Sequence, residues 1–441
     1  MVSAPSTLPV RSRAGFDQRR SFWIVVTVVV LVGLAWRIGY TVVSKGDAEL
    51  GGDAFYYHAQ ASVLRDGHGF IDPIRYVGAG IETPTAGHPP LYALYLASWT
   101  LVGVDTPLGH RLVSCLLGAA TIAVVAALGR RLGGVPTGIA AAVLAAGYPL
   151  LWLNEAMLLS ESMAALTIAI ALLTAYRYWD DPSGGNALML GGAFAFATMA
   201  RAEAALLFPL VVLPLLLRAH VPDWGTRLRA LGLVSLAAVV IMGPWVARNL
   251  VAFERPVLLS NGFGATLRGS SCDDAWYGDR AGLFPFCPPD LPVDGDESER
   301  DAIVRSQSFD YIGDNRDRIP QLLAIRALRL WDAYRPFQNT RWNATVEGRG
   351  HNASFAGLWS YYLLMPLAIA GVVILWRRKL PVMPFLALAI TVTFTAMITY
   401  ANIRYRIIAE VGVVACAAVT IGALWNRLRS PTPHDAFTGD N

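Results

Sequence analysis

The feature that most constrains this chain is a series of apolar runs of bilayer length. Residues 22–43, 230–246 and 407–425 hold few or no charges, over about the 20 residues that a hydrocarbon core requires. Runs of this kind cannot face water, and several are too long for ordinary core helices. A segment surrounded by lipid must satisfy its own backbone hydrogen bonds, so helices are expected throughout. Composition agrees: 54% of residues are hydrophobic and 15% charged, against roughly 25% charged in soluble domains. The expected fold is an all-α polytopic membrane protein. The net charge of +4 comes almost wholly from arginine and gives no nucleic-acid signal, so membrane lipids, not nucleic acid, are the expected surroundings.

Arginine placement sets the expected topology, because cytoplasmic loops are rich in it. Arg11, Arg13, Arg19 and Arg20 precede the first run, which reads as a retained signal anchor: it is too long for a signal peptide and lacks a clean cleavage site. Arg130–Arg131, 177–185, 218–229, 377–379 and the tail from Arg427 read as further inner segments. Placing them inside gives about ten spans, with both termini cytoplasmic. Residues 89–104 are apolar, but counting them as a span would put Arg130 and Arg131 outside. They are therefore expected to lie in the outer interface. The resulting division is a tail over 1–21, a transmembrane catalytic module over 22–250 that includes an outer loop at 44–107, an outer loop over 251–356, closing helices over 357–426 and a tail over 427–441.

Candidate chemistry gathers at the outer ends of the runs. Gly52-Asp53-Ala54-Phe55-Tyr56-Tyr57 follows the first span, and Asp53 reads either as a helix N-cap or as a general base at the membrane surface. His88 precedes Pro89-Pro90; it is either a structural histidine or a donor to phosphate. Glu155 and Glu161 flank an outer turn, and interfacial carboxylates are costly enough to suggest function. Arg201, Arg248, Arg404 and Arg406 lie where the charge rule disfavours arginine. Each is either a snorkelling flank or a forked donor to phosphate oxygens, with pairing to Glu203 an equal alternative for Arg201. Tyr56, Tyr57 and Glu155 are candidates to contact a sugar or acceptor. Cys272 and Cys287, fifteen apart in the late outer loop, point to a disulfide, with metal ligation the rival reading. Residues 297–331 have helical spacing with many charges and read as surface helices.

Taken in order, Asp53 with its tyrosines, His88-Pro-Pro-Leu-Tyr, Gly129-Arg-Arg-Leu-Gly, Leu159-Ser-Glu161, Pro244-Trp-Val-Ala-Arg-Asn and Arg404-Tyr405 resemble the GT-C glycosyltransferases of the protein O-mannosyltransferase and lipid A aminoarabinose transferase type. The resemblance covers about 22–425. It implies a GT-C-like fold with interfacial helices in the first outer loop, and sugar transfer from a polyprenyl-phosphate-linked donor to a hydroxyl of a glycan, lipid or protein. It implies that Asp53 is the catalytic acid, that Glu161 is its companion, and that His88 occupies a position where the aminoarabinose transferases carry lysine near the lipid phosphate. Arg404, Arg406, His88 and Arg201 are then the candidate phosphate ligands. A phosphate leaving group already carries charge, so no cofactor is required and a divalent metal is left open. Two other classes compete: a flippase for a lipid-linked glycan, which would more naturally place charges near the membrane midplane, and a non-catalytic scaffold.

Overall fold

A computed structural model describes residues 13–218, 223–288 and 295–429. The expected tails at 1–12 and 430–441 lie outside these residues. Among the described residues the chain is helical, with one isolated antiparallel bridge, Ile71 to Pro84. The helices are α1 (Arg13–Lys45), α2 (Gly52–Arg65), α3 (Pro73–Ala79), α4 (Leu91–Thr100), α5 (Pro107–Gly147), α6 (Pro149–Ala156), α7 (Glu161–Asp180), α8 (Gly184–Ala200) and α9 (Leu213–Arg218). After these come α10 (Trp224–Ala252), α11 (Phe263–Arg268), α12 (Asp273–Trp276), α13 (Glu297–Asp314), α14 (Ile319–Leu330), α15 (Pro336–Val346), α16 (His351–Arg377), α17 (Met383–Ile398) and α18 (Ile407–Arg429). By length and composition, 5 of them are apolar enough to cross a membrane: residues 20–45 of α1, then α5, α10, α16 and α18. This is an integral membrane protein.

The 41-residue α5 is not one rod. Gly133 and Gly134 leave helical geometry, and Gly134 takes φ +82°, a region that glycine enters without a Cβ penalty. The chain there doubles back, because a Cβ on Gly129 would meet Ala141 at 2.7 Å and one on Gly138 would meet the Ala126 carbonyl at 2.9 Å. Small residues thus let two helical arms touch along their backbones, the usual basis of helix association in lipid. The turn brings Arg130 and Arg131 to one end of the bundle, where Arg130 lies 4.6 Å from the Phe22 ring and Arg131 pairs with Asp180. Gly422 of α18 packs on Thr137 at the same end. The 130–131 turn, Asp180 and the last turns of α18 therefore share an end.

The opposite end collects the polar machinery. Arg111 donates to the Lys45 and Ala48 carbonyls, and Tyr148 donates to Glu410 at 2.7 Å. Within residues 89–104 the helix is the ten-residue α4, Leu91–Thr100, about 15 Å long at the helical rise and too short to cross. It packs on α2 and α5, so Tyr92 and Leu96 are buried there. Cys272 and Cys287 are joined, with Cα atoms 5.9 Å apart, while Cys115 and Cys416 are free and buried. The charged stretch from residue 297 forms α13 and α14, as its spacing predicts.

Candidate active site

At the polar end five ionisable side chains from four segments form one continuous series. Asp53 stands in the first turn of α2. Gly52 before it takes φ +52°, and the N-cap is Gly51 without a side-chain bond, so Asp53 is not spent on capping. Its Oδ2 accepts from Arg404 Nη2 at 2.7 Å and its Oδ1 lies 3.6 Å from His88 Nε2. Arg404 Nε donates to Glu161 Oε1 at 2.5 Å. The same oxygen accepts from Arg201 Nη1 at 2.8 Å, and Arg201 Nε donates to Glu203 at 2.8 Å. Acid and guanidinium alternate: Asp53, Arg404, Glu161, Arg201, Glu203.

Each member is delivered by an element end. Glu161 is the first residue of α7, Arg201 follows α8, and Arg404 lies in the turn between α17 and α18. That turn is pinned by its surroundings. Asn402 accepts from the Arg404 amide and donates to Glu347, the Ala401 amide donates to the Gly282 carbonyl, and Ser270 Oγ donates to Thr399 O. His88 is set by Pro89-Pro90 on one side. On the other, the late outer loop holds its segment: Asn261 N donates to Ala86 O at 2.7 Å, and Ala86 N donates to Glu297 at 3.1 Å. Tyr56 and Tyr57 lie 4.7 and 5.0 Å from the His88 ring.

The electrostatics follow from these contacts. Burial alone would raise the Asp53 pKa, but the Arg404 guanidinium beside it, with His88 and Arg201, holds the carboxyl well below the usual carboxylate range. Burial also pushes His88 below its ordinary value despite the adjacent Asp53. Glu161 is fully buried, and its Oε2 has no hydrogen-bond partner among the described residues. A buried carboxylate oxygen left unpaired costs about 1–3 kcal/mol or more. Asp53 and His88 remain about a third exposed, so the series is open at that end.

Asp53, Glu161, Arg404, Arg201, His88, Tyr56 and Tyr57 are therefore brought together. Two expected members are not. Arg406 points away from Asp53, fully buried between Glu410 at 2.5 Å and Asp332 at 2.8 Å, with the Tyr361 ring 3.9 Å below it. Glu155 is buried against Arg37 at 3.0 Å, between α1 and α6. Both belong to internal pairs that leave them no access to a ligand. Glu203 and Glu297 stand at the site without having been assigned to it from sequence. Glu203 was visible as a partner of Arg201, whereas Glu297 was one acid in a charge-rich helix. Among the described residues no group of three or more His, Cys, Asp or Glu side chains is arranged to hold a metal ion.

Comparison with known proteins bears on the fold. The Archaeoglobus fulgidus oligosaccharyltransferase, tethered with an acceptor peptide containing the NVT sequon, superposes with a TM-score of 0.56 at 14% identity over 94% of this chain and 50% of that one. The chain shares the overall fold of that protein, a GT-C-like arrangement of helices. A second structure, of the oligosaccharyltransferase AglB from the same organism in complex with an inhibitory peptide and a dolichol-phosphate, gives 0.53 at 13% identity over 97% and 53% of the two chains. This chain thus spans about half the length of those proteins. ArnT from Cupriavidus metallidurans bound to undecaprenyl phosphate aligns over 93% of this chain and 79% of that one at 17% identity, with a TM-score of 0.38, too low to speak to the fold. In sequence, the family described as dolichyl-phosphate-mannose-protein mannosyltransferase matches residues 87–247, from beside His88 through Arg201. No curated protein matches the sequence.

Proposed function

We propose that this protein transfers a sugar from a polyprenyl-phosphate-linked donor to an acceptor hydroxyl on the outer face of the membrane. The observation that carries the reading is the Arg404 guanidinium lodged between the carboxylates of Asp53 and Glu161 at an open, polar helix end. The likeness to GT-C proteins, one of them solved with a dolichol-phosphate, supports a lipid-linked donor.

In this reading the donor's tail lies between helices and its phosphate meets Arg404 and His88, with Arg201 behind them. A carboxylate held far below its usual pKa is a weak base. Arrival of a phosphate that shares Arg404 takes positive charge away from Asp53 and raises its proton affinity at the moment it is needed. Asp53 then accepts the proton of the acceptor hydroxyl while that oxygen bonds to the anomeric carbon. The anomeric carbon–oxygen bond to phosphate breaks, and polyprenyl phosphate leaves with the electron pair. Attack from the side opposite the leaving group inverts the anomeric centre. Base catalysis of this kind contributes ~10²–10⁴ in rate. Glu161 orients the acceptor or Asp53. Both termini are then cytoplasmic, and the 44–107 and 251–356 loops face outward.

The test is mass spectrometry of envelope lipids, glycans and glycoproteins from a deletion strain complemented with wild type or Asp53→Asn at equal membrane levels. Loss of one glycan residue, build-up of its lipid-linked donor, and rescue by wild type alone are expected. Full rescue by Asp53→Asn would remove the catalytic assignment and put a transporter or scaffold role first.

A further inference from the structure

Two rings of the late outer loop and two of the turn between α17 and α18 form a row that leads from the surface to the charge series. Phe286 is 61% exposed. Its ring lies 4.7 Å from Phe284, which lies 4.5 Å from Tyr400, which lies 5.3 Å from Tyr405. The Arg201 guanidinium, already in the site, sits 5.5 Å from the Tyr405 ring. The row therefore ends on the site, one residue from Arg404.

Two features show that the outer end is held in place against local preference. Phe286 takes φ +60°, a left-handed conformation that is unfavourable for a bulky residue and persists only where surroundings over-determine it. Those surroundings are the adjacent Cys272–Cys287 disulfide and the Cys287 amide, which donates to the Gly269 carbonyl at 3.2 Å. Gly269 in turn has no room for a side chain, because a Cβ there would overlap the Phe284 ring. A strained backbone that presents an apolar ring to water gains nothing for the fold by itself.

We propose that Phe286, Phe284, Tyr400 and Tyr405 form an acceptor subsite that takes saccharide rings, so that the acceptor is a glycan. This rests on the transferase reading above and names its substrate class. A sugar ring has apolar C–H faces and a polar rim. Aromatic faces suit the first, and the Tyr400 and Tyr405 hydroxyls with the Arg201 guanidinium suit the second. A lipid acceptor would approach from between the helices, whereas this row rides on the disulfide-closed loop above the ends of α17 and α18.

The experiment uses the full chain in nanodiscs. Saturation-transfer NMR is recorded with three methyl glycosides (manno- and glucopyranoside and arabinofuranoside) and with one Ser/Thr peptide. At least one glycoside should receive saturation from wild type. Phe286→Ala should weaken it roughly three- to tenfold, the scale of one aromatic contact, and Phe286→Trp should restore it with unchanged melting. Gly269→Ala, which displaces the second ring, should weaken it as well. Binding of the peptide alone, no glycoside signal, or a signal indifferent to Phe286→Ala would overturn the subsite. Undecaprenyl phosphate binding, measured on the same samples by native mass spectrometry, reports separately on the transferase reading. Its absence with glycoside binding intact would sink that reading and leave a saccharide-binding surface.

Discussion

Two arginines separated by a single residue, Arg404 and Arg406, sit in ion-pair networks of opposite character. Arg406 is fully buried, and its partners Glu410 and Asp332 are as buried as it is. Its charge is matched within the protein, and the Tyr361 ring and the Leu330 carbonyl complete its surroundings. Arg404 is 18% exposed and bridges a fully buried acid, Glu161, to one that is 32% exposed, Asp53. The first network locks the start of α18 onto the 330–332 turn. The second is tied down at Glu161 and open at Asp53. What separates a structural arginine from a candidate phosphate ligand here is not the residue or its place in the sequence but whether its carboxylates leave it one face toward solvent.

The contrast can be broken at either arginine. Arg406→Met strands two buried carboxylates, and removing one partner of a buried pair costs about 3–5 kcal/mol. A fall in melting temperature and in yield is expected, read by thermal unfolding in detergent. Arg404→Gln should do the reverse, with near-normal melting and transfer reduced ~10²–10³-fold, the scale of losing one fixed donor to a developing charge. If the two variants exchange these phenotypes, the assignment of the networks is wrong. Opening the disulfide with Cys272→Ser should remove about 3 kcal/mol from the outer loop. Hydrogen exchange would show this first in residues 267–287, which hold the Arg404 turn from above.

The smallest expected effect tests how the late loop grips the His88 segment. Burial raises the Glu297 carboxyl from 4.5 to about 7, with Asp72 adding to it while Thr85, the Ala86 amide and Arg300 work against it. A folded pKa above the unfolded one gives stability that is complete below about pH 4.5 and lost as pH rises toward 7. Melting temperature should therefore decline across that interval in wild type more than in Glu297→Gln. An identical slope in both proteins would mean that Glu297 is not buried as described.

Much of the site was legible because charges at the ends of apolar runs are rare and expensive. Asp53, Glu161, Arg201, His88 and Arg404 each stood out for that reason, and the helix ends bring all five together. The same signal could not tell an open network from a closed one. Arg406 and Glu155 looked like their neighbours in sequence, but their partners are distant: Asp332 is 74 residues from Arg406, and Arg37 is 118 from Glu155. Only tertiary packing reveals that these charges are consumed internally. The choice between cap and base at Asp53 was equally invisible, since it turns on Gly51 supplying the N-cap. The disulfide followed from spacing and compartment, but the aromatic row it supports did not, because its rings come from segments more than a hundred residues apart.

The most direct test follows polyprenyl phosphate, the product that the proposed reaction releases whichever sugar is transferred. Membrane vesicles holding equal amounts of folded wild-type or Asp53→Asn protein are loaded with lipid extract from the deletion strain, and release of polyprenyl phosphate is timed by mass spectrometry. The account predicts steady release by wild type and a rate ~10²–10⁴-fold lower with Asp53→Asn. Release at the wild-type rate by a folded Asp53→Asn protein would contradict it.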